Sequence, residues 1–401
     1  QDRWPSMQTQ PSSLSTAHSA VISNDFSAGS SRHHALGRLI LAASICLVVS
    51  ACGGGGGGSS TAPVASTPST GTGGNAGGST GGSTGGNAGG SGNNATTPTT
   101  PTSPSTAFRG TVLLASPTTD SVKVNVYSPD QSGWVQVVYG ASPEVLLRQT
   151  DKAPLKAGTP VELTLNGLAA GQRHYYSVRY APDDNTAADV GATQGFQTAR
   201  AVGSSFTFGI QGDSHPERAN SQFNGDLYNR TLDTAAADKP DFYVLMGDDF
   251  SVDTIDPAKI TQALVTERYT LQRPYLSRIA RNAPLFLVNG NHEQAAGYLL
   301  DGTPNNVAVW AQTARNAHYS QPAPDAFYSG NSEVVPFIGL LRNYYAWQWG
   351  DALFVVIDPY WSSPVPVDNV FGGSTKTQNN MWQVTHGDAQ YQGLKRTLES
   401  S

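Results

Sequence analysis

Residues 206–215 read FTFGIQGDSH, an apolar run that stops at a glycine and then delivers an aspartate and a histidine two residues apart. The same grammar recurs twice. Residues 242–249 (FYVLMGDD) and 285–293 (LFLVNGNHE) are each a short apolar run, then Gly, then Asp or Asn. Runs this short that end in glycine read as strands. Between them lie segments of helical period, expected as helices over 221–237 and 257–282. The second should break near Pro274, because proline lacks the N–H that a helix needs and clashes with the preceding turn. Strands alternating with helices predict an α/β domain over 204–401. In such a sheet the strand ends share one edge, so three of them bring distant side chains together. Glycine permits the tight turn and the close backbone approach.

Carboxylate and amide oxygens suit hard cations, while imidazole suits Zn, Fe, Mn or Ni, so a mixed Asp, Asn and His set points to a transition-metal pair and away from calcium. GDSH, GDD and GNHE, in this order and at these intervals, resemble the calcineurin-like metallophosphoesterase family. The resemblance implies a four-layer α/β/β/α sandwich and a dinuclear centre of Fe, Zn or Mn whose bridging hydroxide attacks a phosphate ester. Carried onto this chain, Asp213 and His215 would bind the first metal, Asp248 would bridge both, and Asn291 would bind the second while touching phosphate oxygen. His292 would orient the phosphate or protonate the leaving oxygen. Glu293 would stand behind these residues and fix the His292 ring. Because hydroxide is the nucleophile, Ser214 reads as a turn residue. Asp249 reads as an exposed or hydrogen-bonded turn carboxylate.

Two departures from the family matter. Purple acid phosphatases carry a metal-binding tyrosine where this chain has Ser251, and unlike them it keeps His215, so the broader metallophosphoesterase type is expected, without a violet chromophore. The family's later ligands, a histidine after a further strand and a final Gly-His-x-His, have no counterpart. His318 and His386 read instead as surface histidines, and the α/β domain reads as incomplete at its C-terminus. Downstream, 344–358 resembles the family's next hairpin; its aromatics are expected in the core, and Asp358 lies at a strand end. The competing function is a non-catalytic cell-surface binding lipoprotein with a degenerate phosphoesterase domain.

Residues 107–200 alternate with period two, as in Val122–Tyr127, Trp134–Tyr139 and Val161–Leu165, with frequent turns, which predicts a β-sandwich. The segments 163–168 and 174–180 resemble the fibronectin type III-like domain that precedes the catalytic domain of purple acid phosphatases. His174 has no Asp, Glu or Cys at ligand spacing and reads as a surface or partly covered strand histidine. This domain is expected to position rather than to react.

Residues 53–106 contain no charged and no aromatic residue, and such a stretch has nothing with which to bury a core. It reads as a tether, with a reach of roughly 40 Å. Before it, Arg32 and Arg38 precede a 13-residue apolar run, Leu39 to Ala51, too short to span a bilayer and suited to a signal-peptide core. The run ends Val49-Ser50-Ala51-Cys52, which resembles a bacterial lipobox. Residues 1–51 are therefore expected to be a signal peptide and 52–106 a linker lipidated at Cys52, making the protein an exported, membrane-anchored lipoprotein. Both cysteines, Cys46 and Cys52, precede the globular part, which can form no disulfide of its own. A formal net charge of −6, with only 13% charged residues, argues against a nucleic-acid scaffold as partner. The expected partners are a phosphate-ester substrate and, through the lipid, a membrane. Intact-mass analysis of protein made in a bacterial host should show a chain that starts at a lipid-modified Cys52; retention of earlier residues or an unmodified Cys52 overturns this.

Overall fold

The computed structural model describes residues 20–24, 107–219, 221–293, 299–359 and 387–401. Cys52, the tether, His386 and, apart from 20–24, the expected leader lie outside the described residues. No helix among the described residues is long and apolar enough to cross a membrane.

The first strand, β1 (Ala20–Asn24), comes from the segment that the sequence reading places in the leader. The sandwich follows as β2 (Thr111–Ala115), β3 (Val122–Tyr127), β4 (Gly133–Gly140), β5 (Arg148–Gln149), β6 (Ala153–Leu155), β7 (Val161–Leu165), β8 (Arg173–Ala181), β9 (Asp189–Val190) and β10 (Gln194–Gln197). β2, β3 and β7 pair antiparallel in one layer, while β10, β8, β4 and β5 pair in the other. Alternate residues of both layers, Val122, Val124 and Val126 against Val135, Val137 and Tyr176, form the core that the period-two pattern predicts.

The α/β part contains β11 (Phe206–Gln211), α1 (Gly225–Ala237), β12 (Phe242–Leu245), α2 (Gln262–Leu271), α3 (Arg273–Ala280), β13 (Leu285–Leu287) and α4 (Val307–Tyr319). Next come β14 (Ser329–Gly330), β15 (Val334–Val335), β16 (Gly339–Leu340), β17 (Tyr345–Trp349), β18 (Ala352–Val356) and α5 (Gly387–Glu399). β11, β12 and β13 are parallel neighbours, in register Ile210↔Val244↔Phe286. Their two faces are both buried, which explains the unbroken apolar runs. Tyr243, Leu245, Leu285 and Leu287 meet the helices. Phe242, Val244 and Phe286 meet the Tyr345, Trp347 and Trp349 face of the β14–β17–β18 sheet, with Phe286 stacked on Trp347 at 3.9 Å. Helices, sheet and second sheet are thus three of the four expected layers. α5 adds a helix against β14.

The helix between β12 and β13 breaks at Gln272, two residues before Pro274, and Pro274 occupies the first turn of α3, where its missing N–H is harmless. The sandwich and the α/β part share a sheet, in the order β1-β11-β12-β13-β2-β3-β7. β13 and β2 join it through one parallel register pair, Leu285↔Ala115. Leu113 of β2 packs into the helical core and Leu114 into the sandwich core, so this strand belongs to both.

His318, expected at the surface, and His174, expected at the surface or partly covered, are both inside. His174 is 4% exposed, its Nε2 lying 3.0 Å from the Ala169 carbonyl oxygen, because residues 168–172 fold back over β8. His318 is 2% exposed and presents its ring to Tyr127 at 5.1 Å. It lies two helical turns beyond Ala311, on the buried face of α4. Burial, together with the neighbouring Arg273 cation, lowers its pKa to about 3. The folded protein therefore keeps His318 neutral where the unfolded chain, titrating near 6.5, takes up a proton, so stability is lost as pH falls from about 6.5 towards 3. His318→Phe should make the fall of Tm between pH 7 and pH 5 shallower than in the parent, and parallel Tm curves would remove His318 from that role.

A candidate metal centre at the strand ends

β11, β12 and β13 end side by side, and their turns interlock through backbone contacts. Met246 N–H donates to Gln211 O at 2.7 Å, Val288 N–H to Leu245 O at 2.8 Å, and Asp213 N–H to Gly247 O at 3.1 Å. Gly247 and Gly290 are where the turns meet. A Cβ on Gly290 would lie 2.2 Å from Asp248 Oδ1, and one on Gly247 would lie 2.3 Å from Gly290 N, so both positions require glycine. Asp213, His215 and Asp248 adopt left-handed backbone angles (φ 55°, 44° and 57°), a conformation costly for side chains other than glycine and concentrated at functional sites.

This backbone gathers the donors. Ligand atoms of His215, Asp248 and His292 all lie within 4.8 Å of one another. The two imidazoles meet edge to face, 5.1 Å between centroids. Asp213 Oδ1 is 3.8 Å from His215 Nε2, with its carboxylate open to solvent. Asn291 follows Gly290 in the same turn and is half-buried. Two imidazoles, two carboxylates and an amide form a donor set that fits a transition-metal cation.

The supporting residues hold each ring in place. His215 Nδ1 lies 2.7 Å from Ser251 Oγ and 3.0 Å from Glu217 Oε1. Burial opposes charge on this ring, but the Asp213 and Glu217 carboxylates outweigh it and raise its pKa to about 9. A cation entering here must displace that proton. His292 Nδ1 lies 2.8 and 2.9 Å from the two oxygens of Asp253, which sets its tautomer and aims the other nitrogen at the donor cluster.

Glu293 does not fix the His292 ring as expected; Asp253 does that. The Glu293 carboxylate, 1% exposed, instead accepts backbone N–H groups from Asp248 (3.1 Å), Asp249 (3.0 Å), Phe250 (3.3 Å) and Gly290. Burial and the carboxylates of Asp248 and Asp249 push its pKa up, while the backbone donors favour its charged form. Asp249 is the hydrogen-bonded rather than the exposed turn carboxylate, and Ser214 beside it is buried. Asp249 is 1% exposed and accepts from Ser214 Oγ at 2.6 Å, with burial raising its pKa to about 7. Asp358 is buried away from solvent, accepting from Asn289 and Asn343 at 3.0 and 2.9 Å.

Asp253 and Glu217 were missed from the sequence, since Asp253 sits in a loop and Glu217 in a three-residue 3-10 helix, where a lone acid looks like any solvated turn residue. Their one signal is adjacency: Glu217 lies two residues after His215, and Asp253 five after Asp248.

No protein-family model and no curated protein matches this chain. Among solved structures, that of PhoD aligns with a TM-score of 0.50 at 17% identity, over 73% of this chain and 59% of PhoD. Purple acid phosphatase PPD1 from yellow lupin (Lupinus luteus) seeds aligns with a TM-score of 0.46 at 15% identity, over 72% of this chain and 48% of that one. The chain therefore spans less than two thirds of the length of either. The likeness to PhoD is one of fold, a β-sandwich joined to an α/β domain.

Glu293→Ala should leave four backbone donors without their acceptor and cost at least about 3 kcal/mol of folding stability, read from the shift of a urea midpoint. A loss under about 1 kcal/mol would show that water replaces the carboxylate and that the clamp is dispensable.

Proposed function

We propose that this chain is a metal-dependent phosphoesterase whose site lies at the ends of β11, β12 and β13. The observation that carries this reading is the convergence of His215, Asp248 and His292 within 4.8 Å on three adjacent parallel strands. Asp213, His215 and Asp248 would hold one cation of Fe, Zn or Mn type, with Asp248 and Asn291 offering oxygens to a second. Such cations, when bound, supply a water of lowered pKa and neutralise charge on the phosphoryl group.

The chain's own residues do the remaining work. Asn291 offers an amide N–H to a phosphate oxygen and so orients the ester. Asp253 holds His292 Nδ1 and so orients the ring, whose Nε2 delivers a proton to the leaving oxygen. Glu293 holds both turns rigid, so the donors need no rearrangement during reaction. The basic, apolar and Cys52 order of the N-terminus supports an exported, lipid-anchored protein acting outside the cytoplasm.

Hydrolysis of chromogenic phosphate mono- and diesters with added Mn²⁺, Zn²⁺ or Fe²⁺ tests the reading. Asp248→Asn should lower the rate at least about 100-fold, the scale of removing a principal electrostatic group. Near-normal turnover in that variant with metal bound would take Asp248 out of its role. Absence of hydrolysis by the metal-loaded full-length protein would favour the non-catalytic binding lipoprotein.

A further inference from the structure

Gln272 and Arg273, at the junction of α2 and α3, are both fully buried, and they reach in opposite directions. Gln272 reaches the site. Its Nε2 donates to Ser214 Oγ, between Asp213 and His215, and at 2.9 Å to the main-chain oxygen of Asp249, next to Asp248. One amide thus spans the turns after β11 and β12. Arg273 reaches the sandwich. Its Nε donates to Thr111 Oγ1 at 2.9 Å, Nη1 to Asn125 Oδ1 at 2.9 Å, and Nη2 to Asn125 O at 3.2 Å. The rings of Tyr127 and Tyr319 flank the guanidinium at 5.1 and 5.9 Å.

We infer that the β-sandwich sets the spacing of the two metal-binding turns through Asn125, Arg273 and Gln272. Arg273 and Gln272 share a peptide plane, so a shift that re-seats the guanidinium on β3 carries the Gln272 amide with it. The junction has nowhere to absorb that shift, since both side chains are buried and α3 starts at once with Arg273. Gln272, Arg273 and Asn125 are positioning residues. A contrasting contact between sandwich and helices, Tyr176 Oη to Arg281 O at 2.8 Å, lies beyond the far end of α3, and neither residue bonds to a site turn.

That contrast supplies the control. The inference takes its meaning from the phosphoesterase reading, but its test does not depend on turnover. Amide hydrogen exchange would be followed on the metal-free full chain, together with Mn²⁺ binding by calorimetry, for Asn125→Ala, Asn125→Asp and Tyr176→Phe. In Asn125→Ala, amides 213–215 and 248–250 should exchange about tenfold faster and the Mn²⁺ Kd should rise about tenfold, the scale of known long-range couplings. Asn125→Asp keeps the acceptor for Arg273 but loses the Nδ2 donor to Ala317 O and Ser320 Oγ, and should loosen these amides and weaken Mn²⁺ binding less than Asn125→Ala does. Tyr176→Phe should leave these amides unchanged. Should Asn125→Ala not fold, Arg273→Lys, which keeps the charge and loses the fork, is expected to loosen the same amides. Equal loosening by Asn125→Ala and Tyr176→Phe, or unchanged site amides in Asn125→Ala and Arg273→Lys, would overturn the inference. If the parent itself binds no Mn²⁺, the metal-centre reading fails, while amide exchange still decides the coupling.

Discussion

The buried carboxylate of Glu293 ties the turn after β12 to the turn after β13, and the site depends on it. Its oxygens hold N–H groups of Asp248, Asp249, Phe250 and Gly290, which places a left-handed aspartate against a backbone with no room for a Cβ. Unpaired buried N–H groups are costly, so a turn of this shape persists only where an acceptor is fixed behind it. Glu293 is fixed because the His292 carbonyl accepts from Val252 N–H at 2.9 Å, closing the two turns on each other from the other side.

Around that clamp the chain keeps its strain local. Behind the turns the three parallel strands are apolar on both faces, packed between helices and a second sheet rich in aromatics. Such a core is close-packed and resists deformation, so the polar ends emerge from a rigid base. Each imidazole is then oriented by an acid or hydroxyl in a connecting segment, His215 by Glu217 and Ser251, His292 by Asp253. Rigid strands bring the donors together, and short loops trim their angles.

The sandwich is more tightly joined to this arrangement than a spacer would be. A shared strand, β2, has one side chain in each core, and the Arg273 guanidinium sits between sandwich and helices with hydrogen bonds to both. Burying a cation without a carboxylate is expensive unless its donors find acceptors, and Arg273 places four hydrogen bonds on Thr111, Asn125 and the His318 carbonyl. Burial, with a smaller push from the same cation, keeps His318 neutral.

The sequence by itself determined the alternation of strands and helices, the sandwich, and the placing of Asp213, His215, Asp248, Asn291 and His292 at strand ends, because those features are local: a period, a glycine, a spacing. It also placed Asp358 at a strand end without showing what it would touch. Only the tertiary structure decided which acid serves which ring. Asp253 rather than Glu293 meets His292, and Asp249 turns inward to Ser214, because loop closure and not sequence distance brings those atoms together. Burial of His174 and His318 was hidden for a related reason: a histidine carries no mark of whether a neighbouring element will cover it, and here a folded-back loop meets His174 and the Tyr127 ring of β3 meets His318.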